Sequence, residues 1–181
     1  MNNRPNYLEV INDLDLFLKL KQFDPVLIGT PPLGIEIDTS DIDIACCSEN
    51  LEEFKQKTRI EFGHFRKFET FDTVVQANQT TIVRFAAAGW PIELFCQTLP
   101  TTKQWGVRHF KIEQRLLQLF PWLRKNVKHL KQEGLSTEEA FASLLGLDGD
   151  PYSSMLKIEG LSDKEFGNMI SQQDLSNFEM D

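Results

Sequence analysis

Three acidic residues, each set among apolar neighbours, are the side chains of this sequence best suited to chemistry. Asp41 and Asp43 alternate with isoleucines in the run 41–44, and Glu93 lies between two apolar residues. Because side chains alternate across a strand, Asp41 and Asp43 are predicted to share one face, about 6–7 Å apart. Paired carboxylates at that spacing repel each other, and a hard divalent cation removes the repulsion. The pattern predicts a Mg²⁺ or Mn²⁺ site with Asp41, Asp43 and Glu93 as ligands, provided that their strands are neighbours.

A turn that contains a hydroxyl group, Gly29-Thr30, precedes the two aspartates by ten residues. It follows the apolar run 26–28, and Pro31-Pro32 prevents that run from continuing as a strand. Backbone N–H groups exposed by such a turn bind phosphate oxygens, and carboxylates with a metal serve phosphoryl or nucleotidyl transfer. Gly29 and Thr30 are therefore predicted to bind a nucleotide. Three further nucleotide-binding candidates are Ser40, Arg84 and Lys103.

Each of these residues also has a plainer interpretation. The segment 38–41 is also typical of a solvated turn with side-chain-to-backbone hydrogen bonds. Glu93 alone suits an edge strand that faces water, and Lys103 suits an exposed helix face. Arg84, on the strand expected to pair with that of Glu93, either contacts a triphosphate or forms a salt bridge with one of the acids. The sequence leaves these alternatives open.

The composition is that of a folded, acidic protein. The chain has 181 residues, of which 41% are hydrophobic, and its formal net charge is −8. A surface with that charge repels phosphate backbones, so long nucleic acid is not expected as a partner. No apolar stretch of about 18 residues is present, so no membrane association is expected. The three cysteines lack zinc spacing, which predicts free thiols in a reducing cytoplasm.

The hydrophobic pattern predicts an α+β fold with a mixed sheet. The number of apolar runs indicates about five strands. The order is one helix over 5–20, two strands, a helix capped by Ser48, three strands and then helices. The last two strands, 80–87 and 91–96, are predicted to form a hairpin, and Asp72 is predicted to lie in a turn. We expect an α/β core over 1–100 and a helical region packed on it over 101–181. Ser136 is predicted to cap a helix, another helix is expected from Ser162, and the tail from Ser171 is expected to fray.

The order and spacing of the candidate residues resemble the signature of the DNA-polymerase-beta-like nucleotidyltransferase superfamily. That signature is an apolar residue, Gly-Ser or a close variant, a loop, and Asp-x-Asp between apolar residues. Here it is Ile28-Gly29-Thr30 followed by Asp41-Ile42-Asp43-Ile44, and Glu93 matches the third acid on a later strand. The match covers residues 25–96. The resemblance implies that the three acids hold Mg²⁺ and that Gly29 and Thr30 bind the β- and γ-phosphates.

More closely, the segments 26–35 and 40–44 resemble a bacterial family classed as a domain of unknown function, number 4269. In that family the resemblance extends into the segment 105–109, and it implies a nucleotidyltransferase-like fold without naming a substrate. Two departures from the superfamily pattern concern the turn. Thr30 replaces the usual Ser, and Pro31-Pro32 stands where many members begin a short helix, often with a basic residue nearby.

The sequence thus predicts a Mg²⁺-dependent nucleotidyltransferase. It would move a nucleoside monophosphate from a nucleoside triphosphate to a hydroxyl of a small molecule or a protein. The alternative is a non-catalytic nucleotide-binding or regulatory module that kept the fold. The acceptor, the preferred nucleotide and the oligomeric state are not specified by the sequence.

Overall fold

The computed structural model describes residues 4–171, and the expected fraying of the tail beyond Ser171 lies outside this range. Among the described residues the chain divides into two compact units, 4–32 with 38–107 and 33–37 with 108–171. The first unit contains all five strands found in the described part of the chain. No helix within 4–171 is both long and apolar enough to cross a membrane.

The five strands form one mixed sheet, which confirms the predicted fold class. Its order is β1-β2-β5-β4-β3, with β2 and β5 parallel and the other neighbours antiparallel. The parallel pair needs a long crossover connection, and the intervening chain supplies a helix and two strands. The strands are β1 (Val26–Ile28), β2 (Ile42–Cys47), β3 (Arg66–Val75), β4 (Asn78–Ala87) and β5 (Trp90–Gln97).

Two tight turns join the last three strands, and the predicted hairpin of β4 and β5 is confirmed. Gln76 and Ala77 turn the chain between β3 and β4, both with positive φ, and Ala88 and Gly89 do the same between β4 and β5. Consecutive positive φ values match the right-handed twist of hairpin strands. The prediction of a turn at Asp72 is wrong, because this residue pairs with Thr81 inside the β3–β4 ladder.

One face of the sheet carries the hydrophobic core of the first unit. Alternate residues of β2, β4 and β5 pack there against the N-terminal helices and α3 (Leu51–Phe62). The helix α3 begins after Asn50, whose side chain accepts a hydrogen bond from the Glu53 backbone N–H at 3.2 Å. The prediction that Ser48 caps this helix is therefore wrong. Ser48 instead donates its hydroxyl to the carbonyl of Asn50, at 2.9 Å.

The N-terminal segment forms two helices instead of the single predicted one. α1 (Tyr7–Asp13) and α2 (Leu16–Leu20) are separated by Asp15, whose φ of 53° interrupts the helical hydrogen bonding. The interruption rotates the second helix relative to the first, so a continuous 3.6-residue period does not describe the buried face. Leu18, expected on that face, is 67% exposed, whereas Leu16 and Leu20 are buried.

The second unit is helical. Ser136 and Glu139 form the predicted capping box, and a helix predicted from Ser162 is found beginning one residue later. One short helix, α7, was not predicted; it begins at Pro151, a residue suited to the first helical turn. The helices are α4 (Trp105–Leu119), whose first three residues belong to the first unit, α5 (Leu123–Gln132), α6 (Thr137–Leu145), α7 (Pro151–Lys157) and α8 (Asp163–Ser171).

A carboxyl group lies buried in this helical unit. Glu113 of α4 is only 4% exposed. Burial raises the pKa of Glu113 to about 8, and the negative charge of Glu138 adds to the rise while Lys131 opposes it. In the unfolded chain the carboxyl has its ordinary pKa of 4.5. At a pH between 4.5 and about 8, the folded state holds a proton that the unfolded state releases. The contribution of Glu113 to stability is therefore greatest below pH 4.5 and is lost as the pH rises towards 8.

We therefore expect the free energy of unfolding to fall as the pH rises from 4.5 to 8. One proton contributes at most about 1.4 kcal/mol per pH unit to this slope. The variant Glu113→Gln removes that contribution because its amide does not titrate. Urea unfolding across this pH range measures the slope in both proteins. Glu133→Gln, at an exposed position in the same unit, is the control, and an unchanged slope in Glu113→Gln contradicts the assignment.

Candidate functional site

A single row of side chains crosses all five strands on the face of the sheet opposite the core. The register pairs Ile28 with Asp43, Asp43 with Glu93, Glu93 with Arg84, and Arg84 with Glu69. Neighbouring strands are about 4.8 Å apart, and directly paired residues point to the same face. The row therefore places two acids side by side, then a base, then a third acid.

Asp43 and Glu93 meet because β2 and β5 are parallel neighbours with these two residues in register. This adjacency is the condition that the predicted metal site required. Both side chains are partly accessible, and Glu93 is 23% exposed. Asp41 lies just before β2 instead of on it, and it lines the same cleft as Glu93.

Arg84 is the cation that balances this row of acids. Its Nε donates to Oε2 of Glu93 at 2.6 Å, and its Nη1 lies 3.9 Å from Oε1 of Glu69. The hydrogen bond to Glu93 holds the pKa of the Arg84 guanidinium above its ordinary value. The guanidinium also lies over the ring of Phe71, with 5.1 Å between its carbon and the ring centroid. Of the two interpretations of Arg84, the salt bridge is the one that the structure contains.

The Gly29-Thr30 turn lies directly beside Asp43. Gly29 has a φ of 79°, and a Cβ atom at this position would overlap Oδ2 of Asp43. Thr30 donates its hydroxyl to the hydroxyl oxygen of Ser40, at 3.0 Å, and the Ser40 carbonyl accepts from Arg4 at 2.8 Å. A 3-10 helix, Pro31–Leu33, follows at once. The structure thus brings together Gly29, Thr30, Ser40 and Asp43.

Lys103 follows the last strand of the sheet. It ends the short 3-10 helix Thr101–Lys103, which follows the carboxyl end of β5. The next residue, Gln104, donates to the carbonyl of Cys46, at 2.8 Å. Cys46 lies three residues beyond Asp43 on β2, about 10 Å along the strand.

A cleft of about 400 Å³ opens beside Glu93, towards β4 and β3. Asp41, Glu93 and Arg84 line it, together with Lys67 and Phe68 of β3, which the sequence analysis missed. Lys67 reaches this position through a β-bulge, and an irregularity of register leaves no periodic signal in the sequence. Arg4, also missed, stacks its guanidinium carbon 3.8 Å from the centroid of the Trp90 ring.

Asp43 and Glu93 suit a hard divalent cation, because both are carboxylates and both lie on the same face of the sheet. Asp43 and Glu93 supply carboxylate oxygens from adjacent strands, and such oxygens are the preferred ligands of Mg²⁺. Within residues 4–171, however, no three His, Cys, Asp or Glu side chains are arranged so as to hold a metal ion. Glu93 is engaged by Arg84 instead. A metal at this site would therefore compete with the guanidinium for the Glu93 carboxylate.

Replacement of Arg84 by Gln tests this competition. Without metal we expect a loss of about 0–1 kcal/mol in stability, because the ion pair is partly exposed and screened. On addition of Mg²⁺ or Mn²⁺ we expect a larger rise in melting temperature for Arg84→Gln than for the wild type. Scanning fluorimetry measures both, with Arg59→Gln on the exposed surface of α3 as the control. Equal metal-induced shifts in all three proteins contradict the competition.

Gly29 and Gly89 provide a matched pair for the contact with Asp43. Their φ values are 79° and 81°, so alanine is strained at both positions. At Gly89 the nearest atom to an added Cβ is Cγ of Arg4, at 3.4 Å, whereas at Gly29 it is the Asp43 carboxylate. We expect a loss of about 1 kcal/mol for Gly89→Ala. For Gly29→Ala we expect about 2–3 kcal/mol, because overlap is added to backbone strain.

Urea unfolding of Gly29→Ala, Asp43→Ala and the double variant isolates the overlap. Truncation of Asp43 removes the overlapping oxygen, so the double variant should lose less stability than the two single losses together. Strict additivity, or equal losses for Gly29→Ala and Gly89→Ala, contradicts the close approach of the carboxylate to the turn.

The chain matches the family model described as "Domain of unknown function (DUF4269)" over residues 9–158. No curated protein matches the sequence.

Three solved structures illustrate the likeness in fold. Cid1, described as an RNA terminal uridylyl transferase, superposes with a TM-score of 0.53 at 15% identity over 84% of this chain and 48% of that chain. The Cid1 poly(U) polymerase with bound MgGTP has a TM-score of 0.52 at 14% identity, over 84% of this chain and 49% of that chain. The GLD-2/RNP-8 complex has a TM-score of 0.50 at 12% identity, over 97% of this chain and 69% of that chain. The chain spans about half the length of the Cid1 chains that it matches.

At these identities the likeness shows the fold, which is α+β and nucleotidyltransferase-like, as the sequence predicted. The family model covers most of the chain, including β2, β5 and the Gly29-Thr30 turn. The chain therefore belongs to the DUF4269 family.

Proposed function

We propose that this protein is a Mg²⁺-dependent nucleotidyltransferase that moves a nucleoside monophosphate from a nucleoside triphosphate to an acceptor hydroxyl. The observation that supports the proposal most directly is the adjacency of Asp43 and Glu93, next to the Gly29-Thr30 turn. Acids that hold metal and a turn that binds phosphate are the two components that nucleotidyl transfer needs. The nucleotidyltransferase-like fold supports the same conclusion.

In this proposal the turn binds the β- and γ-phosphates of the nucleotide. The backbone N–H groups of the turn would donate to the phosphate oxygens, while the Asp43 carboxylate fills the volume that a side chain at Gly29 would take. Ser40 fixes the Thr30 hydroxyl through their hydrogen bond at 3.0 Å, and Arg4 holds the Ser40 carbonyl in turn. These contacts pre-organise the turn before the nucleotide binds, which lowers the entropic cost of binding.

Asp41, Asp43 and Glu93 are the residues that would hold the metal. When bound there, Mg²⁺ neutralises charge on the polyphosphate and favours ionisation of the acceptor hydroxyl. The carboxylates of Asp43 and Glu93 orient the two reactants from one face of the sheet. Glu93 leaves its ion pair with Arg84 and faces the cleft, where it is placed to accept the hydroxyl proton.

The transfer itself exchanges one phosphorus–oxygen bond for another. The acceptor oxygen attacks the α-phosphorus, and the bond from that phosphorus to the bridging oxygen of the β-phosphate breaks. The bonding electrons leave with pyrophosphate, and the proton of the hydroxyl passes to Glu93 and then to water. The products are a nucleotidylated acceptor and pyrophosphate.

The acceptor is proposed to be a small molecule or a protein side chain. The net charge of −8 opposes binding of a long phosphate backbone. Cid1 acts on RNA as described, but the present chain spans about half of it, so that substrate class is not transferred. We further propose a cytoplasmic location, because all three cysteines are free and the thiols of Cys46 and Cys96 are buried.

A second candidate function is a module that binds nucleotide without turning it over. The ion pair between Arg84 and Glu93 supports it, because a guanidinium in place of the metal neutralises the acid without supplying Lewis-acid chemistry. Transfer of label from an α-³²P nucleoside triphosphate to a non-nucleotide product distinguishes an enzyme from such a module.

Calorimetric titration tests the first step of the proposal. We expect the wild type to bind a nucleoside triphosphate in the presence of Mg²⁺ and Asp43→Asn to bind it at least tenfold more weakly, about 1.4 kcal/mol. The four common nucleoside triphosphates are titrated separately, since the preferred base is unknown. Asp13→Asn, on the exposed surface of α1, should bind as the wild type does.

Equal affinity of the wild type and Asp43→Asn contradicts the metal site. No detectable binding of any of the four nucleotides contradicts both candidate functions. Binding together with pyrophosphate release that Glu93→Gln abolishes supports the enzyme, whereas the same release by both proteins contradicts the role of Glu93.

A further inference from the structure

The cleft beside Glu93 lies on the opposite side of the acids from the phosphate turn. Gly29-Thr30 follows β1, at one edge of the sheet, and Lys67 belongs to β3, at the other edge. Four strand spacings separate these edges, on the order of 19 Å. Asp43 and Glu93 lie on the strands between them.

This arrangement assigns the two reactants to opposite sides of the acids. In phosphoryl transfer the attacking and leaving oxygens lie roughly in line on either side of the phosphorus. With pyrophosphate leaving on the side of the Gly29-Thr30 turn, the acceptor hydroxyl approaches from the side of β4 and β3. The cleft of about 400 Å³ opens on that side. Its volume is in the range of small-molecule sites, about 300–1,000 Å³.

The backbone turns Lys67 into this cleft. Lys67 has a φ of 57°, in the left-handed region, within the bulge between Arg66 and Glu69. A residue with a side chain rarely adopts that conformation, and bulges redirect side chains next to active sites. Lys67 therefore lines a cleft that already contains Glu93 and Asp41.

The two cations that line the cleft, Arg84 and Lys67, differ in whether an acid is paired with them. Arg84 is paired with Glu93 at 2.6 Å and approaches Glu69 at 3.9 Å. Lys67 is exposed, and among the described residues no carboxylate lies within ion-pair distance of its ammonium group. Lys67 is thus the cation of the cleft that remains available for a ligand. Its charge suits a carboxylate or a phosphate monoester.

Glu69 also lines the cleft, and the other lining residues are apolar. Phe68, Ala86 and Pro91 are among them, and Phe68 is half-buried. The side chains of Phe85 and Ile92 pack in the core, on the opposite face of the sheet. Apolar walls with a few placed polar groups are typical of sites for small organic ligands. The walls suit a compact ring or hydrocarbon body between the hydroxyl and the anionic group.

We propose that the cleft binds the acceptor and that this acceptor is a small hydroxyl compound with an anionic group, which Lys67 recognises. The inference rests on the proposed function and specifies its second substrate. The hydroxyl lies at Glu93, the apolar body lies against Phe68 and Pro91, and the carboxylate or phosphate lies at Lys67. Recognition of the anion through Lys67 places the hydroxyl on the acid side of the cleft.

Ligand-detected NMR with matched probes tests this assignment. The carboxylate probe is 4-hydroxybenzoate and its neutral counterpart is 4-hydroxybenzyl alcohol. The phosphate probe is 4-hydroxyphenyl phosphate and its neutral counterpart is hydroquinone. We expect the wild type to bind at least one anionic probe about tenfold more tightly than its counterpart, which is about 1.4 kcal/mol. The probe that shows the preference identifies the anion as carboxylate or phosphate.

Three variants separate recognition by Lys67 from general effects of charge. Lys67→Gln should lose the preference for the anion and bind the neutral probes unchanged, whereas Lys67→Arg should retain the preference. Lys21→Gln removes one exposed lysine of the same unit and should behave as the wild type does. Melting temperatures of all variants confirm that each is folded.

Failure of this inference is distinct from failure of the proposed function. Equal binding of anionic and neutral probes, or a preference that persists in Lys67→Gln, overturns the assignment of the cleft. So does a tenfold loss of nucleotide affinity in Lys67→Gln, because Lys67 then serves the nucleotide. If the probes bind as expected but no nucleotide binds, the assignment of Lys67 as an anion site is supported and the proposed nucleotidyltransferase function is contradicted.

Discussion

The parallel register between β2 and β5 is the constraint on which the candidate site depends. It places Asp43 directly beside Glu93, a juxtaposition that is unfavourable for two like charges. The sheet supplies the compensation on the next strand, where Arg84 donates to Glu93 at 2.6 Å. The repulsion between the acids and the attraction of the arginine are both consequences of one row of register pairs. The site is therefore a property of the sheet as a whole.

The position of the Gly29-Thr30 turn also depends on strand register. Gly29 follows the edge strand β1, whose register with β2 brings Ile28 opposite Asp43. The carboxylate then occupies the volume where any other residue would carry its Cβ. Glycine is required at this position for two separate reasons, the left-handed φ of 79° and the contact with the carboxylate. Local sterics thus account for the glycine of the Gly-Thr pair without reference to any ligand.

Strand alternation and the flanking apolar residues were sufficient to predict the five strands and the hairpin of β4 and β5. The same pattern identified Glu93 as a candidate third acid, but its position beside Asp43 depends on which strands are neighbours, and strand order is not encoded in local alternation. Three features could not be derived this way. The break at Asp15 and the bulge at Lys67 depend on left-handed backbone conformations, which residues other than glycine adopt without a periodic signal. The cap at Asn50 competed with an equally suitable Ser48, and only tertiary packing distinguishes them.

The connection between β2 and β5 has a consequence for folding. β3, β4 and β5 follow one another through tight turns, so their pairing closes only short loops, whereas β2 reaches β5 across the whole of α3 and two strands. Contacts between segments distant in the chain form late, because their loop-closure entropy is lost before the contact stabilises them. We expect Asp43 to join Glu93 and Arg84 only after the three-stranded meander is in place. In refolding of the full-length chain, the arginine–glutamate pair would then form first and Asp43 would join it last.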